Sequence, residues 1–169
     1  MKSVMVVWLY SAEQYRQHTL LLEIAEHAAH HGFNDAPVDV LVLHGHEFVP
    51  PGDIARLREW NFHVRDVSAT YAPIAARFPG LRARYSNHFF ECFLRWLVIK
   101  EVCGGAPVLA WDADIFFNEA LSVLHGAYAG ATFTSSSTCF VALSDPAWLA
   151  TYERELLAFE RDPASAIDG

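Results

Sequence analysis

Residues 108–118 read VLAWDADIFFN. Apolar residues with a β-branched start at Val108 and an aromatic at Trp111 predict a buried strand. The run ends on two aspartates, Asp112 and Asp114, one residue apart. Successive side chains of a strand point to opposite faces, so a chain extended through Asp114 places both carboxylates on one side, roughly 7 Å apart at about 3.3 Å per residue. Trp111 then points the other way, into a core. Two like charges between Trp111 and Phe116 repel each other and lose hydration, at a cost on the order of several kcal/mol for an unpaired carboxylate. A divalent cation with oxygen preference removes that cost, and Mg²⁺ or Mn²⁺ is the usual partner of carboxylates plus phosphate. The alternative is a local turn, with one aspartate capping the helix near Glu119 and the other solvated.

The chain on either side alternates between short apolar runs and amphipathic segments. Residues 4–10 and 38–43 predict buried strands, and residues 62–67 alternate as a third strand would. Residues 12–31 predict one helix, with Leu21, Ile24, Ala25 and Ala28 on a stripe and Gly32 as its stop. Pro50, Pro51 and Gly52 precede a short helix at residues 54–60. Residues 72–84 read as irregular and carry Arg77, Arg82 and Arg84 with no acid among them. A strong helix is expected at residues 88–103, with Phe90, Phe93, Leu94 and Leu97 on one face, ended by Gly104 and Gly105. Beyond the aspartates come a short helix (residues 119–126) and strand-like runs at residues 131–134 and 138–143. A last helix follows, capped by Asp145 with Pro146 at its first position and striped by Leu149, Tyr152, Leu156 and Phe159. This alternation predicts an α/β fold: a mostly parallel, Rossmann-like sheet flanked by helices on both faces. No repeat, low-complexity run or linker divides residues 1–169, which are read as a single domain.

Of 169 residues, 53% are hydrophobic and 14% aromatic, enough for a sizeable core. A net charge of -8 argues against nucleic acid or a membrane surface as partner. An anionic ligand therefore needs a metal or a local basic group. The apolar N-terminal run is too short for a signal peptide or a membrane span. Cys92, Cys103 and Cys139 lack CxxC spacing and are odd in number, which points to a reducing cytoplasm.

Two other patterns bear on chemistry. His44 and His46 flank Gly45 after the second strand; in an extended segment both rings face one way, and a metal-dependent hydrolase could combine them with the aspartates. Asp-x-Asp after an apolar strand also opens phosphatases of the haloacid dehalogenase type. Their motif normally continues into Gly-Thr near the N-terminus, whereas Asp114 precedes Ile115 and Phe116 in mid-chain.

The segment YSNHFFECFLRWLVIKEV (residues 85–102) followed by VLAWDADIFFN resembles the helix-then-motif unit of the GT-A glycosyltransferases, which use nucleotide sugars and carry an aspartate-x-aspartate motif. The opening VMVVWLYSAEQY (residues 4–15) resembles that family's first strand and nucleotide-facing loop. The resemblance implies a GT-A-like domain that transfers a sugar from a nucleoside-diphosphate sugar, a UDP-sugar first, with Mn²⁺ or Mg²⁺. Asp114 would bind the metal, and Asp112 the metal or the donor ribose, both as catalytic residues. Tyr10 and Ser11 would meet the nucleotide base. Arg95 would reach the donor, unless it pairs along the helix with Glu91 four residues earlier. Arg77, Arg82 and Arg84 would form an anion-binding loop or a solvated surface. Ser135, Ser136 and Ser137 would face the acceptor or donor sugar, the acceptor being a sugar, lipid or protein. Members of the family usually continue into an acceptor-binding half with a late histidine ligand. The last histidine here is His125, so the resemblance implies a short or truncated member lacking part of that half. A non-catalytic nucleotide-sugar- or partner-binding domain of the same fold is the alternative.

Overall fold

Val4 and Val6 enter one hydrophobic core and Met5 and Val7 another, as alternation along a strand requires. Their strand, β1 (Lys2–Val7), is therefore covered on both faces and lies at the middle of the sheet. The computed structural model describes residues 1–131 and 139–163. Its other strands are β2 (Val38–Val42), β3 (Phe62–Asp66), β4 (Val108–Asp112) and β5 (Phe140–Leu143), in the order β3-β2-β1-β4-β5. β1 runs parallel to β2 and β4, β2 runs parallel to β3, and β5 closes the edge antiparallel to β4. This is the mostly parallel, Rossmann-like sheet that the sequence predicts.

The connections are α1 (Ala12–His18), α2 (Leu21–His31), α3 (Pro51–Glu59), α4 (Ser68–Ala75), α5 (Pro79–Arg84), α6 (Asn87–Cys103), α7 (Leu121–Ala127) and α8 (Ala147–Arg161). Tyr15, Leu21, Ile24, Leu57 and Leu121 pack α1, α2, α3 and α7 on one face. Tyr71, Leu81, Phe90, Leu94 and Leu149 pack α4, α5, α6 and α8 on the other. Among the described residues no helix is long and apolar enough to cross a membrane.

Three expectations need correction. Residues 12–31 form two helices: the Thr19 hydroxyl donates back to the Tyr15 carbonyl at 2.5 Å, and the Leu20 N–H leaves the helix for the Ala113 carbonyl at 3.3 Å. Gly32 does end the second of them, left-handed at φ 70°. Residues 72–84 are mostly helical, with Pro79 in the first turn of α5, where its missing N–H costs nothing. The first strand stops at Val7 rather than at residue 10, because the chain turns across the end of β2, with the Leu9 N–H on the His44 carbonyl at 3.1 Å. The predicted strand at residues 131–134 falls largely outside the described residues.

Candidate active site

The chain leaves β3 through α4, α5 and α6 and re-enters the sheet on the far side of β1, as β4. At such a reversal the connections from two neighbouring strands depart in opposite directions and leave a crevice beyond their carboxyl ends. A pocket of about 340 Å³ opens there, and its wall includes Trp8, Gln14, Thr19, His88, Asp112 and Asp114.

β4 ends at Asp112, and the Ile115 N–H closes a turn on the Asp112 carbonyl at 3.1 Å. Asp114 thus stands in a turn and not on the strand, which overturns the expectation that both carboxylates share one strand face. Asp112 is half-buried and Asp114 is exposed. Trp111 packs on the opposite side, 3% exposed and 5.5 Å from the Phe117 ring, as expected for core.

Asp112 already has a cation. The Arg95 guanidinium, 4% exposed, donates through Nη1 to Asp112 Oδ1 and lies 4.8 Å over the Trp96 ring. Burial still pushes the Asp112 carboxyl above its ordinary range, against the downward pull of Arg95. Glu91 goes elsewhere, so the alternative pairing of Arg95 along its own helix fails: Glu91 Oε1 accepts the Tyr71 hydroxyl at 2.7 Å and faces His44 Nε2 at 3.2 Å. Of the local-turn alternative, the turn and a solvated Asp114 are present, but the helix cap is not supplied by either aspartate. Asp35 caps α7, its Oδ1 accepting the Ser122 N–H at 3.0 Å.

His44 is not an open metal ligand, since Nδ1 lies 3.0 Å from the Leu9 carbonyl and Nε2 faces Glu91. Gly45 is fixed between these loops at φ 80°, where an added Cβ would stand 2.2 Å from the Leu9 carbonyl oxygen. Among the described residues no group of three or more His, Cys, Asp or Glu side chains is placed to hold a metal ion. The crevice offers two carboxylates, one of them bonded to a guanidinium. That donor set suits Mg²⁺ or Mn²⁺, which keep waters and draw ligands from phosphate, better than a closed four-ligand zinc site.

Tyr10 and Ser11 are not among the residues that line the pocket, although Trp8 and Gln14 on either side of them are. Tyr10 is 46% exposed, with its ring 4.9 Å from that of His44. Ser11 is the N-cap of α1: its Oγ accepts the Gln14 N–H at 3.1 Å, and Gln14 Oε1 accepts the Tyr10 N–H at 2.7 Å. This resembles the S-x-x-Q capping box, with the glutamine reaching the N–H one residue before the cap. Arg77, in the turn between α4 and α5, pairs with Glu153 at 2.5 Å, and Arg82, on α5, lies 5.1 Å over the Phe90 ring. Ser135, Ser136 and Ser137 lie outside the described residues. Sequence reasoning missed Trp8, Gln14, Thr19 and His88. Trp8 reads as the continuation of an apolar strand, and His88, whose ring is 5.6 Å from that of Trp8, as an ordinary first-turn residue of α6.

Protein-family models, curated proteins and solved structures gave no match to the chain. Function is read from the crevice.

Proposed function

We propose that the protein is a metal-dependent glycosyltransferase that takes a nucleoside-diphosphate sugar, a UDP-sugar first, in the crevice between β1 and β4. The observation that carries this reading is the placement of Asp112 and Asp114 at the carboxyl end of β4, on the wall of the switch-point pocket. The likeness of residues 85–118 to the GT-A helix-then-motif unit supports it and supplies the donor class.

Asp114, with Asp112 beside it, would hold Mn²⁺ or Mg²⁺. Once bound, such an ion neutralises charge on the departing diphosphate. Arg95 fixes the orientation of Asp112 and offsets its charge, so that Asp112 can stay ionised while half-buried. Gln14 commits its carbonyl oxygen to Tyr10 and keeps its amide N–H groups as donors for a polar ligand. Trp8 and His88 give the pocket ring surfaces suited to a base or a sugar face.

Calorimetric titration of UDP with and without Mn²⁺ tests the reading. The expected outcome is Mn²⁺-dependent binding to the wild type that weakens at least about tenfold in Asp114→Asn, a loss of roughly 1.4 kcal/mol, with the melting temperature preserved because Asp114 is exposed. Binding that ignores both the metal and the substitution would refute the metal role. Metal-dependent binding with neither sugar transfer nor donor hydrolysis would identify a non-catalytic nucleotide-sugar-binding domain.

A further inference from the structure

The outer ridge of α2 carries Glu23, His27 and His31 at four-residue intervals, which bring side chains to the same helix face. Glu26 and His30 flank the ridge, and the five side chains line a surface recess of about 360 Å³, apart from the crevice. The His27 and His31 rings are 4.6 Å apart between centroids, inclined at 55°. Both are held by aromatic neighbours. His31 stacks on Phe33 at 5.4 Å and 20°, and His27 meets the edge of Phe116 at 5.5 Å. The histidines lie in the second half of α2, near the helix end whose free carbonyls favour a cation.

We infer that His27 and His31 form a two-imidazole site for a first-row transition-metal ion of the Cu²⁺, Ni²⁺ or Zn²⁺ type. Two imidazoles one turn apart are a ready chelate for such ions, which prefer nitrogen, whereas Mg²⁺ prefers oxygen. Water completes the shell, in keeping with the lack of a three-ligand group among the described residues. His27 Nε2 lies 3.3 Å from Asn118 Oδ1, in the segment that follows the aspartates. An ion on this nitrogen displaces that contact, so Asn118 is not needed for binding. Neither the crevice nor the glycosyltransferase reading enters this inference.

The test is calorimetric titration of Ni²⁺ into the full chain, free of any histidine tag, with Mg²⁺ as control. One Ni²⁺ per chain is expected, and Mg²⁺ should give no signal assigned to this ridge. Loss of either chelating ring turns a joint hold into a single contact, so His27→Gln and His31→Gln should each weaken Ni²⁺ binding by at least about tenfold. His30→Gln, Asn118→Ala and Asp114→Asn should leave it within about threefold, on the same scale of chelation. Absence of Ni²⁺ binding to the wild type would overturn the inference. So would Ni²⁺ binding that survives His27→Gln or His31→Gln, since the ion would then sit on other groups.

Discussion

Arg95 spends its charge on Asp112, and the two side chains are unequally exposed, at 5% and 30%. Removing the guanidinium takes the cationic partner from a half-buried carboxylate, while removing the carboxylate takes one anionic partner from a buried cation. Arg95→Met should therefore cost about 3 kcal/mol in urea unfolding, the lower end of the range for a broken buried pair because Asp112 keeps some water. Adding Asp112→Asn to that variant should recover part of the loss. An unchanged midpoint would show that the pair contributes nothing to folding. The aspartates stood out in sequence as a pair, since two carboxylates ending an apolar strand demand an explanation. Their unequal surroundings were not legible, because these depend on a turn that takes Asp114 off the strand and on Arg95 arriving from α6.

His44, Glu91 and Tyr71 join the loop after β2 to α6 and α4, and the Leu9 carbonyl ties the end of β1 to the same group. His44 Nδ1 faces that carbonyl and Nε2 faces the Glu91 carboxyl, two acceptors that a doubly protonated ring suits. The imidazolium is favoured first by its hydrogen bond to Glu91, against burial, and its pKa is raised above 6.5; Arg82 opposes the charge. A raised folded pKa means that the contribution to stability is fully present below about pH 6.5 and is lost as pH climbs through the folded value. Tyr10 also faces His44, but its hydroxyl is pushed up to about 12 and stays neutral in this range. Urea unfolding at pH 6 and pH 9 should show the wild type losing more stability than His44→Gln. The comparison cancels the opposite slope of His125, whose pKa burial lowers. Parallel losses would mean that His44 does not titrate with folding. At this scale the long α6 was readable, since its apolar residues recur at helical spacing. The break at Thr19 and Leu20 was hidden because the apolar stripe runs on past it, and only the Ala113 carbonyl, distant in sequence, draws the Leu20 N–H away. The helices in residues 72–84 were not read in the sequence, where Pro79 starts a helix and Pro73 is tolerated inside one.

A sheet covered on both faces leaves its strand ends as the natural place for a ligand, and the reversal between β3 and β4 selects the ends of β1 and β4. Alternating apolar runs made the α/β architecture legible. Strand order was not, because nothing in VLAW specifies that β4 pairs with β1 rather than with β3. With a net charge of -8, the molecule as a whole repels a diphosphate, so the proposed binding would have to be local, through a divalent cation on Asp114 and the neighbouring polar groups. Anomalous scattering at the manganese edge, from crystals grown with UDP and Mn²⁺, tests that claim most directly. A manganese peak at coordinating distance from Asp114, with the diphosphate against it in the crevice, is the predicted result. UDP bound away from the β1–β4 crevice, or in it with no manganese at Asp114, would contradict the account.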